Sequence, residues 1–145
     1  MADVRMIDID GELWNIKDQD ARIKIAAIEE DIFPQDLQDI QVTMKDGYTC
    51  KSIEISNHYK VGKIHFASIR IEDLSGNSIG TGATAYVAVM NLKVKKFTNF
   101  IARDYRAPAT IRGSLEVNGT ISIGESNGIK DGNNVIIGEL IFAEP

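Results

Sequence analysis

The 145-residue chain is 43% apolar and 26% charged with three prolines, proportions that fit one folded domain and exclude a disordered tract. Sixteen basic residues against 21 acidic ones, and a pI near 5.0, exclude the basic excess of a phosphate-backbone binder, so no nucleic-acid partner is expected. No apolar run approaches the ~18–20 residues that span a bilayer, and Met1-Ala2-Asp3-Val4-Arg5 lacks a secretory layout, so a soluble chain without membrane insertion is expected.

One cysteine, Cys50, excludes an intrachain disulfide and a multi-cysteine metal site, so stability must come from the apolar core or from association. Aromatic residues are scarce at 7%, while isoleucine occurs 22 times, a β-branched bias that predicts a mainly β chain.

The first 17 residues read as a hairpin around Asp10-Gly11, with Val4, Met6, Trp14 and Ile16 on one face. Asp18 is a good N-cap, and after it Ala21, Ile25, Ile28 and Ile32 step by 4, 3 and 4, the spacing of a helical stripe that ends at Pro34. At about 14 residues such a helix is marginal alone in water, so its stripe needs a cover. The stripe also fills successive a and d positions, where isoleucine favours three or four parallel strands. Ala21, Ile25, Ile28 and Ile32 are therefore the candidate oligomerisation residues of a short coiled coil. A helix lying on its own β-domain would show the same stripe, and Ile23, Ala26 and Ala27 widen it enough to face a sheet as well.

From Gln41 onward the punctuation is of β type: Asp46-Gly47, Ser75-Gly76-Asn77, Asn118-Gly119 and Asp131-Gly132 separate runs rich in Ile, Val, Thr and Tyr. Strands are predicted over 41–45, 48–56, 63–72, 83–94, 97–103, 110–117, 120–124 and 135–142. This spacing suggests an antiparallel β-sandwich or jelly-roll-like head over 41–145, preceded by a hairpin-plus-helix unit over 1–40. In 63–72 the apolar phase flips between Phe66 and Ile69, which a β-bulge in that strand would repair. Parity also fixes the 110–124 hairpin. A three-residue loop of Val117, Asn118 and Gly119 opposes Leu115 to Ile121 and Gly113 to Ile123, leaving one face apolar and Gly119 at positive φ.

Few residue patterns carry chemistry. His58 and His65 sit seven apart with no spacing that places both on one metal, and both read as packing residues. Cys50 reads as an inert thiol, because no neighbour in sequence would depress its pKa. Asp8-Ile9-Asp10-Gly11-Glu12 begins like a calcium loop, but its ligands run out, and the glycines at 80–82 and 124–132 lack the Gly-Lys-Ser/Thr ending of a phosphate loop. Asn118-Gly119-Thr120 matches the glycosylation triplet and reads as turn chemistry. No catalytic residue, metal or cofactor is expected.

One charged segment stands out in an acidic chain: Lys93, Lys95, Lys96, Arg103, Arg106 and Arg112, interrupted by Asp104 alone among acids. It is a candidate patch for an anionic polymer or an acidic neighbour; its alternative is a solvated strand face. Phe97, Phe100 and Tyr105 interleave with these cations and read as core.

The stretch Asp10-Gly11-Glu12-Leu13-Trp14-Asn15-Ile16-Lys17-Asp18-Gln19-Asp20-Ala21-Arg22 resembles an N-terminal element of phage and prophage tail, baseplate and head-fibre proteins. There a short hairpin with an Ile-Lys-Asp-x-x-Ala-Arg ending leads into a helix. Tyr59-Lys60-Val61-Gly62-Lys63-Ile64, then Pro108, then Gly113-Ser114-Leu115-Glu116-Val117-Asn118-Gly119-Thr120-Ile121 is similar to the C-terminal head module of phage fibre and receptor-binding proteins. The resemblance implies a non-enzymatic virion protein: a homotrimeric fibre or baseplate appendage, synthesised in the bacterial cytoplasm. Its implied partners are its own copies, other virion proteins and host cell-surface polysaccharide.

Two other readings stay open. One is a stand-alone bacterial glycan-binding β-sandwich, which should show aromatic or Arg-rich concavities. The other is a small tailspike-like hydrolase, which needs two carboxylates about 5–9.5 Å apart across a cleft, with Glu54, Glu72 and Glu116 as the acids available.

Overall fold

The computed structural model describes residues 5–9, 12–16, 23–28, 33–107, 109–124 and 128–145. Among these the strands are, in chain order, β1 (Arg5–Ile9), β2 (Glu12–Ile16), β3 (Gln35–Asp36), β4 (Val42–Met44), β5 (Tyr48–Thr49), β6 (Ser52–Val61), β7 (Ile64–Glu72), β8 (Ser75–Gly76), β9 (Ala85–Met90), β10 (Thr98–Asp104), β11 (Ala109–Leu115), β12 (Thr120–Gly124) and β13 (Val135–Ala143). Residues 23–28 are helical.

One antiparallel sheet carries the order β3-β6-β7-β13-β10-β11-β12-β9-β4. Its two edges are successive pieces of a single segment. β3 pairs with β6 at Gln35↔Lys60, the same register continues to the bridge Ile40↔Ile55, and β4 then pairs with β9 at Val42↔Met90. Backbone bonds from Ile40 N to Ile55 O (3.2 Å) and from Asn91 N to Gln41 O (2.9 Å) tie the segment to both neighbours. Residues 35–44 thus close the curled sheet on itself, removing edges that would pair with other chains. The order contains two Greek keys: β9 returns beside the 35–44 segment after β6 and β7, and β13 returns beside β10 after β11 and β12.

Period-2 alternation explains the interior. Ala67, Ile69 and Ile71 of β7, Ile136, Leu140 and Phe142 of β13, Ile111 and Leu115 of β11, and Ile121 and Ile123 of β12 are all 3% exposed or less. Each large aliphatic so buried contributes about 1.5–3 kcal/mol of transfer free energy. Phe100 rests on Gly113, where an added Cβ would come 2.1 Å from the ring's Cζ, so only glycine leaves room for it. Asn134, fully buried, accepts from Leu74 N and donates to Leu74 O and Lys130 O, pinning the turn after β7 to the segment before β13.

The mainly β, antiparallel class is as the sequence predicts, and the β11–β12 hairpin has the expected register, with Leu115↔Ile121, Gly113↔Ile123 and Gly119 at φ 88°. Several expectations need correction. The Greek keys of a jelly roll are present in one curled sheet rather than two stacked ones. Gln35, Asp36 and Ile40 pair with β6, so the sheet also takes in residues ahead of 41. The 48–56 strand divides into β5, which pairs with β8, and β6. In β1–β2, Ile7 opposes Trp14 and Met6 opposes Asn15. The bulge lies between Ser56 and Tyr59 of β6 rather than in β7, and Phe66 stays outside, stacked on Tyr59 at 4.9 Å. Val4, Asp10-Gly11, the cap Asp18 and the stripe residues Ala21 and Ile32 lie outside the described residues.

Candidate functional site

The helix at 23–28 presents apolar surface to solvent: Ile23 is 59%, Ile25 36% and Ile28 54% exposed. Apolar exposure continues where the chain approaches the barrel, with Phe33 at 63% and Leu37 at 36%.

The six cations of 93–112 are all exposed, but the strands spread them over separate clefts. Arg103 and Arg106 line a cleft of about 480 Å³ with Tyr105 and Thr110 at the β10–β11 turn. Lys95 and Lys96 line a second with Ile64, Ile141 and Phe97. Lys93 borders a third beside Glu116 and Val117, and Arg112 a fourth between Tyr86 and Phe97. The length of β10, with Lys93, Lys95 and Lys96 before its start and Arg106 beyond its end, breaks the sequence cluster into single charges and pairs. Arg106 is also engaged within the chain, donating to Asp73 Oδ1 and, at 3.1 Å, to Asn133 Oδ1. Of the three interleaved aromatics only Phe100 is core; Phe97 is 57% and Tyr105 69% exposed.

Asp104, 5% exposed, organises the turn: its Oδ1 accepts from Arg106 N (2.9 Å) and Val135 N (3.0 Å), joining β10 to the start of β13. Glu54 lies opposite Arg70 across β6 and β7, and Glu72 is bound by Arg70 and Lys51, whose hydrogen bonds hold its carboxyl below the usual range. Glu116 is on β11's side of the barrel, beside Phe97. Burial pushes the Cys50 thiol upward, away from nucleophile behaviour.

Sequence spacing did not reveal what becomes of the histidines. His58 and His65 are 6% and 5% exposed, their rings stack at 5.0 Å, and His58 Nε2 lies 2.7 Å from His65 Nδ1. The bulge at 57–58, with Asn57 at φ 51°, turns His58 inward onto its partner strand. The array continues to the Gln38 carbonyl at 2.9 Å and to Glu144 Oε2 at 3.2 Å. His65 also stacks on Phe142 at 5.0 Å, so the array is packed within the barrel wall.

Among the described residues no group of three His, Cys, Asp or Glu side chains could hold a metal ion, and no helix is long and apolar enough to cross a membrane. Comparison of the chain with protein-family models, with curated proteins and with solved structures finds no match.

Proposed function

We propose that the chain is a non-enzymatic structural protein of a phage or prophage virion, a homotrimeric fibre or baseplate appendage whose β head contacts the host surface. One observation carries the reading: residues 23–28 are helical and exposed throughout, including Ile25 and Ile28 of the a/d stripe. A helix lying on its own barrel would bury that stripe. Cover by other copies of the chain accounts for that exposure, and isoleucine at a and d favours three or more of them. The resemblance of residues 10–22, and of 59–64, Pro108 and 113–121, to phage appendage proteins supports the same reading and supplies its setting, the virion. The experiment is solution mass by light scattering. A trimer gives three times the 16.0 kDa chain mass, whereas the stand-alone glycan-binding module gives 16.0 kDa.

A further inference from the structure

The outer face of β9, β12, β11 and β10 carries a shallow trough that the basic-segment reading does not account for. One register row crosses all four strands: Tyr86 opposes Ser122, Ser122 opposes Ser114, and Ser114 opposes Asn99. Opposed residues share a face, and three interstrand steps of ~4.8 Å make the row roughly 14 Å long. Phe97, two residues before Asn99, joins the lining with Glu116, Arg112 and Thr84, around a volume of about 260 Å³.

The composition is unusual for a solvent-facing sheet. The floor is small: Ser114, Ser122 and Gly124, the last opposite Arg112 with no side chain to fill the space. Ser122 is only 2% exposed on this outer face, because its neighbours stand above it. The walls are two exposed aromatics, Tyr86 at 46% and Phe97 at 57%. Lys45, outside the lining, sits 5.9 Å over the Tyr86 ring and steadies it. The Ser114 and Ser122 hydroxyls bond to each other, which uses one of their two hydrogens and leaves the other to donate.

The lining therefore offers aromatic faces, a carboxylate acceptor, and hydroxyl and amide groups that both donate and accept. Glu116 and Arg112 carry opposite charges, so the lining has no net charge to select an ion, and an apolar ligand would strand the serines and Asn99. A pyranose has C–H groups on its faces for aromatic rings and a rim of hydroxyls that donate and accept. We propose that this trough binds one ring of a neutral saccharide, stacked between Tyr86 and Phe97, with its hydroxyls toward Ser114, Ser122, Asn99 and Glu116. The proposal rests on the reading of the β head as the surface-contacting part, and it names the ligand class of that contact.

Saturation-transfer difference NMR on the full chain tests it, with glucose, galactose, N-acetylglucosamine and rhamnose as millimolar probes. The expected result is transfer to the ring C–H protons of at least one sugar, reduced fivefold or more in Tyr86→Ala and in Phe97→Ala. Both side chains are exposed, so both variants should keep the wild-type melting temperature to within a few degrees. Gly124→Leu, at a position where a Cβ meets only ordinary contacts, should fill the floor and abolish transfer. Ile101→Ala, on the same outer face but outside the lining, should change nothing. Transfer to none of the four sugars, transfer that survives all three trough variants, or resonances of this face that shift with inorganic phosphate instead would overturn the proposal. Light-scattering mass on the same samples judges the trimeric appendage separately.

Discussion

His58 Nε2 lies 2.7 Å from His65 Nδ1 inside the barrel wall, and the pair is bounded at both ends by acceptors, the Gln38 carbonyl and the Glu144 carboxylate. The Glu144 carboxylate closes the row beyond His65 Nε2, which ties the C-terminal end of the chain to β6 and β7.

Glu144→Gln tests that arrangement. In the wild type the His65 hydrogen bond, aided by the charges of Lys60 and Lys63 and opposed by desolvation, holds the Glu144 carboxyl below its ordinary value of 4.5. A carboxylate depressed in the folded state stabilises above its unfolded-state pKa, and that stability is lost as pH falls through the folded-state value. The wild type should thus lose stability below about pH 4.5 more steeply than Glu144→Gln, which keeps a hydrogen-bonding side chain beside His65 and has no carboxyl to protonate. Urea midpoints measured from pH 3 to pH 7 check this. Parallel curves for the two proteins would contradict it.

Gly119→Val should be among the costlier single changes in the head. Residue 119 has φ 88°, and an added Cβ would fall 2.5 Å from Leu92 O and 2.7 Å from Met90 O. Backbone strain contributes at least about 1 kcal/mol and the carbonyl collisions about 1–3 more. A lowered urea midpoint with unchanged slope is the expected measurement, and a midpoint equal to wild type would refute the loop geometry.

Asp104→Ala should cost about 1–3 kcal/mol, because Arg106 N and Val135 N lose their shared acceptor. Asp104→Asn keeps an Oδ1 in place and should lose less than half as much. Equal losses in the two variants, measured by thermal unfolding, would show that the carboxylate does not hold the turn through that oxygen.

The barrel strands were legible in the sequence because their inward residues alternate, as Ala67, Ile69 and Ile71 do, and because parity around Asn118-Gly119 admits a single apolar register. Barrel closure was not. Gln35 to Gln41 is largely polar and reads as a connection, yet it pairs with β6 and buries one side chain, Ile40, 5% exposed and opposite Ile55. The phase flip between Phe66 and Ile69 reads in sequence as a bulge in their own strand, whereas Tyr59 across the hairpin gives Phe66 a stacking partner outside. The histidine pair depends on a bulge that no residue spacing announces. Likewise the six cations of 93–112 look like one patch in sequence, and become separate sites because the length of β10 carries Arg103 and Arg106 away from Lys93, Lys95 and Lys96. Tyr86 was overlooked because a single tyrosine in an apolar run carries no signal until Ser122 and Ser114 are placed beside it.

The central claim is that the exposed isoleucine stripe of residues 23–28 is covered by other copies of the chain. Its most direct test is the light-scattering mass of wild type and Ile28→Asp at micromolar concentration. Burying three unpaired acids at one seam costs on the order of several kcal/mol, while Ile28, 54% exposed in the single chain, contributes little to the barrel itself. The account predicts a wild-type mass three times the 16.0 kDa chain, falling to 16.0 kDa in Ile28→Asp with the β circular-dichroism signal intact. A wild-type protein that is already monomeric, or a variant that keeps the wild-type mass, would contradict it.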